Sequence, residues 1–110
     1  HYMLDLIARY PDYVLIPAHA GGDCGWEYEE LAEAVRAHGW KNVYTDTSFK
    51  NAGVMRELVE LFGEDRILFA TDYPFDGAVG SIAQCREAFG DDPVLLDKVF
   101  YRNAARILHL

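Results

Sequence analysis

Cysteine is scarce. Cys24 and Cys85 are the only two in 110 residues, with no CxxC or paired spacing. A disulfide framework is therefore not expected, and both read as reduced thiols of a cytoplasmic protein. Basic residues are few as well, 10 against 18 acidic ones, for a net charge of −8. Nucleic-acid surfaces and polybasic membrane patches need clustered Lys and Arg, so neither partner is expected. The apolar runs are too short to span a membrane. The start is acidic at Asp5 and helical in pattern, unlike a signal peptide. His1 and Tyr2 before Met3 read as an appended stub or a cut inside a longer protein. There is no linker, low-complexity segment or exact repeat. Neither GxGxxG nor a P-loop occurs, so a phosphate-binding reading lacks its motif.

What is present is the composition of a globular domain, 51% apolar and 25% charged. The length allows a single domain, residues 1–110, with a modest core. A unit recurs along it: a short apolar run rich in β-formers, then polar residues, a loop and a helix. The first run, from Tyr13 to Ala18, ends at His19. The second, from Asn42 to Thr45, ends at Asp46-Thr47-Ser48. The third, from Arg66 to Ala70, ends at Thr71-Asp72. Such runs suit buried parallel strands covered on both faces.

Helical patterns lie between them. Leu4, Ile7 and Ala8 precede the first run. Leu31, Ala34 and Val35 follow it, behind Glu27, Glu29 and Glu30, which complement a helix N-terminus. Val54, Leu58, Val59 and Phe62 follow the second, with Gly63 as the stop. Ile82, Cys85, Ala88 and Phe89 follow the third. Asp92 then reads as an N-cap with Pro93 in the first turn. Val94, Leu95, Val99 and Phe100 continue that helix, and a last one runs through Ala104, Ile107 and Leu108. Alternating strands and helices predict an α/β fold of parallel βα units. Right-handed crossovers bring the carboxyl ends of the three strands to one face, where chemistry sits in parallel α/β folds. That face collects His19, Asp46, Thr47, Ser48, Thr71 and Asp72.

Two of these are the main candidates. A neutral imidazole at His19, followed by Gly21-Gly22, could bind a metal or hold a water. It could equally be a strand-end histidine bonded to a loop carbonyl. The Asp72 carboxylate closes an apolar strand, where an unpaired charge is costly and a metal would compensate. A helix cap or a structural ion pair would compensate too, and spacing does not choose. Pro74 pushes Tyr73 toward an extended conformation. Asp46-Thr47-Ser48 could support the site or touch a substrate, but short polar side chains more often bond their own loop. The remaining candidates read as structural. His38 precedes Gly39 at a helix end, where a cation suits the dipole. Trp26 either lines a pocket or packs. Arg66 is expected to pair with Glu64 or Asp65, and Asn103 to cap the last helix. Cys24 with His19 makes neither a zinc site nor a nucleophile pair.

The segment from Phe62 to Phe75, Phe-Gly-Glu-Asp-Arg-Ile-Leu-Phe-Ala-Thr-Asp-Tyr-Pro-Phe, closely resembles the last barrel strand of the amidohydrolase-related (amidohydrolase 2) family. Arg9-Tyr10-Pro11-Asp12 through Gly22 resembles the sixth strand, Asn42 to Ser48 the seventh, and Asn103 to Leu108 the closing helix. The resemblance covers nearly the whole chain and implies strands six to eight of an eight-stranded (β/α) barrel, a partial barrel. It implies that Asp72 is a ligand of a divalent metal, usually zinc, and that His19 activates or positions water or substrate. Trp26, Asp46, Ser48 and Tyr73 would then touch substrate or support the site. The family's reactions include hydrolysis of a small-molecule substrate and decarboxylation of small acids. One departure stands out. The family's HxH pair and strand-five histidine have no counterpart here, where the only histidines are His1, His19, His38 and His109. The fragment is therefore expected to be inactive alone, and three strands leave open edges that invite self-association. The competing expectation is a non-catalytic α/β module that binds a small molecule or assembles with itself.

Overall fold

The computed structural model of the chain describes residues 2–21 and 28–110. Six α-helices and two short strands follow one another along them: α1 (Tyr2–Arg9), α2 (Tyr28–His38), β1 (Thr45–Asp46), α3 (Ala52–Phe62), β2 (Ile67–Leu68), α4 (Ala78–Phe89), α5 (Pro93–Asp97) and α6 (Asn103–Ile107). A π-helical turn, Lys98–Arg102, joins α5 to α6. Glu27, expected in the first turn of α2, lies outside the described residues, as do Cys24 and Trp26.

The strands are parallel, with Thr45 opposite Ile67 and Asp46 opposite Leu68. The first apolar run joins them as a single parallel bridge, Leu15 to Val43. Leu15 N–H donates to Asn42 O, and Tyr44 N–H donates back to Leu15 O, each at 2.9 Å. The three runs thus lie side by side in sequence order and point one way. The first, however, is not a strand buried on both faces. Tyr13, Val14 and Ile16 are 65%, 48% and 45% exposed, because this run sits at the edge of the ladder with a neighbour on one side only.

The π turn, α3 and α6 pack on β2, and α2 and α4 pack on α3. Leu31, Val35, Met55, Leu58, Ile67, Cys85, Phe89 and Val99 form the buried core between layers. Local chemistry sets the helix ends. Asn51 caps α3 by accepting from Val54 N–H at 2.9 Å. Gly63 ends α3 at φ +92°, a conformation open to glycine. At the end of α2, Gly39 N–H reaches Arg36 O and Trp40 N–H reaches Val35 O, the paired bonds of a Schellman stop. His38 stacks on Trp40 there, ring centroids 4.5 Å apart. Asp92 accepts from Leu95 N–H at 3.1 Å, with Pro93 in the first turn.

Two expectations at the closing end need correction. Asn103 does not cap a helix: α6 continues from the π turn, and the fully buried Asn103 amide donates to Glu64 O (2.8 Å) and Ile67 O (2.9 Å). It ties α6 to β2 and to the turn before it, satisfying the carbonyls of Ile67 and Glu64. Lys98, rather than Arg66, forms the ion pairs with Glu64 and Asp65. The π turn aims its ammonium at that corner, and the pairing holds the Asp65 carboxyl below its ordinary range.

Candidate active site

The carboxyl ends of the three parallel runs meet at one rim. His19 follows the first, Asp46 ends β1, and Asp72 follows the third by way of Ala70 and Thr71. His19 Nε2 lies 3.6 Å from Asp72 Oδ2. That is too long for a good hydrogen bond and suits an ion or solvent molecule held in common. The two side chains are 22% and 37% exposed, so the pair is sheltered yet reachable. His19 Nδ1 is buried and has no partner among the described residues.

The backbone at this rim is strained. His19 (φ 55°), Ala20 (φ 58°), Phe49 (φ 57°) and Asp72 (φ 58°) all occupy the left-handed region without being glycine. Each costs on the order of 1–2 kcal/mol. Strain of this kind gathers at functional sites, where the surrounding structure holds it in place. Gly21 extends the turn at φ +87°, and a Cβ there would meet Met3 Cε at 2.7 Å. This glycine admits α1 of the same chain; Gly22 lies outside the described residues.

Asp46 is buried and accepts three hydrogen bonds: Ser48 N–H (2.9 Å) and the Ser48 hydroxyl on Oδ1, and His19 N–H (3.1 Å) on Oδ2. Two of these bonds stay within its own loop, as short polar side chains do, and the third links β1 to the turn carrying His19. Thr47 also acts beyond its own loop. Its hydroxyl bonds both Ala70 O (3.2 Å) and Ala70 N–H (3.1 Å), just before Thr71-Asp72. Thr71 Oγ1 accepts from Tyr73 N–H, and Phe75 N–H donates to Asp72 O. Tyr73, 79% exposed, precedes a cis peptide at Pro74.

Phe49 and Lys50 belong to this rim although neither stood out in the sequence. Phe49 sets its ring edge to face against His19 at 5.2 Å. The buried Lys50 ammonium donates to His19 O at 3.1 Å. A Phe-Lys pair after a strand carries no signal of its own, since only the tertiary contact brings it to His19.

Two donors 3.6 Å apart match the separation of roughly 3.4 Å between two ligands of one tetrahedral zinc. They are too few for a complete site. Among the described residues no three His, Cys, Asp or Glu side chains gather to hold an ion, where zinc takes three or four protein ligands.

A family model for amidohydrolases matches residues 1–110. The chain belongs to the amidohydrolase family. Its fold is similar to part of two solved amidohydrolases. An amidohydrolase from Burkholderia multivorans, determined with bound zinc, aligns over 98% of this chain and 48% of its own, with TM-score 0.74 and 15% identity. Amidohydrolase 2 from Bifidobacterium longum subsp. infantis aligns over 98% of this chain and 45% of its own, with TM-score 0.72 and 20% identity. The chain therefore spans about half the length of these amidohydrolases. No curated protein sequence matches it significantly. No helix among the described residues is long and apolar enough to cross a membrane.

Proposed function

We propose that this chain is the C-terminal part of a metal-dependent amidohydrolase, strands six to eight of its (β/α) barrel, and that it is inactive alone. Asp72 is then a ligand of a divalent metal, zinc, and His19 is the histidine that serves the reacting water or substrate. The observation that carries this reading is the 3.6 Å approach of His19 Nε2 to Asp72 Oδ2 at the carboxyl rim of parallel segments. The zinc in the Burkholderia structure supports the choice of metal, and the exposed edge at Tyr13, Val14 and Ile16 supports a barrel that continues beyond this chain.

A bound zinc ion supplies Lewis acidity and a water acidified toward a pKa of about 7. The chain's own residues do the rest. His19 Nε2 faces the Asp72 carboxylate and can take or return a proton there. Asp46, with Ser48 behind it, supports the turn that carries His19. Tyr73 stands out beside Asp72 and, with Trp26, would meet a small-molecule substrate. The reaction is hydrolysis of a C–N or C–O bond, with decarboxylation of a small acid as the alternative use of the same groups. Neither nucleic acid nor membrane is a partner, and a cytoplasmic setting accords with the free thiol of Cys85.

In the longer protein, stoichiometric divalent metal should be found by elemental analysis, and Asp72→Asn should lower both metal content and turnover. His19→Asn should lower turnover about 10²–10⁴-fold with metal retained. A folded longer protein that lacks metal and is indifferent to Asp72→Asn overturns the reading. Tight zinc binding and turnover by the 110-residue chain would overturn its inactivity alone. The exposed edge also favours a second reading, a non-catalytic small-molecule-binding module that self-assembles along Tyr13–Ile16. Sedimentation of the isolated chain tests it: a monomer at all concentrations rejects the assembly.

A further inference from the structure

Both peptide groups that flank the Cα of His19 are held by charged side chains, one from the end of β1 and one from the loop after it. On the N-terminal side, His19 N–H donates to Asp46 Oδ2 at 3.1 Å. On the C-terminal side, His19 O accepts from Lys50 Nζ at 3.1 Å. Between these two residues Phe49 packs its ring edge against the imidazole. Asp46 and Lys50 are 8% and 5% exposed, so neither charge is a solvated surface group. Buried charges of this kind are costly unless each meets a partner, and part of what each meets here is the His19 backbone.

The conformation they hold is an unfavourable one. His19 and Ala20 sit at φ 55° and 58° with ψ near 29° and 27°, two consecutive left-handed residues that carry Cβ atoms. Left to itself the turn would relax toward right-handed or extended backbone, and the imidazole would swing away from Asp72. Phe49, itself at φ 57°, is placed for its ring contact by the same loop. We infer that Lys50, with Asp46 and Phe49, is the positioning device for His19, and that Lys50 acts through the His19 carbonyl without reaching the reacting atoms. The inference rests on the role proposed for His19, but its geometry can be tested without metal or turnover.

The test is nuclear magnetic resonance of the 110-residue chain carrying Lys50→Met, Lys50→Gln or Lys50→Arg. In the unaltered chain the His19 amide should show the order parameter of rigid backbone, about 0.85, with a cross peak between the His19 and Phe49 rings. Lys50→Met should drop that order parameter below about 0.6 and remove the cross peak, while the amide signals of α3 and α4 stay in place. Lys50→Arg, which keeps a charged donor, should restore both. If Lys50→Met does not fold, Lys50→Gln, which keeps a shorter neutral donor, is read in the same way. A folded Met or Gln variant with His19 as ordered as before, and the cross peak intact, overturns the inference. That result would leave the metal-site reading standing. Conversely, a longer protein without metal would leave this positioning role standing.

Discussion

Thr47 closes the ladder beyond the last paired strand residues, with a single hydroxyl meeting both the N–H and the C=O of Ala70. It takes the place of a backbone rung and anchors the segment leading to Asp72. Thr47→Val keeps the shape and removes both bonds, leaving the part-buried Ala70 N–H and C=O without this partner. Such loss costs about 1–3 kcal/mol, to be read as a lower urea midpoint. An unchanged midpoint would mean that Ala70 is held by other contacts.

Stability should fall in alkali through two groups. Burial pushes the Cys85 thiol from 9.0 up to about 11. The hydrogen bond from Tyr28 to Glu57, with burial, pushes the phenol from 10.0 up to about 12. In both cases the unfolded chain gives up its proton first. Their contributions are therefore complete below the unfolded values and drain away as pH rises through the folded ones. Cys85→Ala should flatten the loss between about pH 9 and 11, and Tyr28→Phe that between about pH 10 and 12. Urea melts across this range check both. Identical alkaline slopes in all three proteins would sink the assignment.

Gly21 is required twice, by its φ of +87° and by the approach of Met3. Gly21→Ala should destabilise by about 1–3 kcal/mol, and Met3→Ala in the same chain should recover the steric part alone. A full recovery would show that the backbone carries no strain there.

His19 tests the strain directly. His19→Ala and His19→Gly both delete the imidazole, but only glycine accepts φ 55° freely. The glycine variant should be the more stable by about 1 kcal/mol in urea melts. If alanine is the more stable, the turn is not held left-handed in solution.

The order of elements was legible because periodicity and caps are local properties. Asp92-Pro93, Gly63 and the three apolar runs all announce themselves within a few residues; the caps and the second and third runs form as expected, while the first makes a single bridge at an exposed edge. Asn103 and Lys50 did not, since each bonds backbone carbonyls 31 to 39 residues away in sequence. Nothing in their neighbours marks them out. The exposure of Tyr13, Val14 and Ile16 was hidden for a related reason: an apolar run specifies a preference for burial, not the presence of something to bury it.

By itself the amino-acid sequence determined the alternation of helices and parallel segments, and so the rim on which His19 and Asp72 would fall, because strand direction follows from the crossovers between them. Only the tertiary structure decided that Nε2 and Oδ2 come within 3.6 Å, that both residues do so on left-handed backbone, and that Asp46, Phe49 and Lys50 surround the histidine. Such distances depend on how three loops pack together. No single loop carries that information, because each is held in its conformation by contacts with the other two.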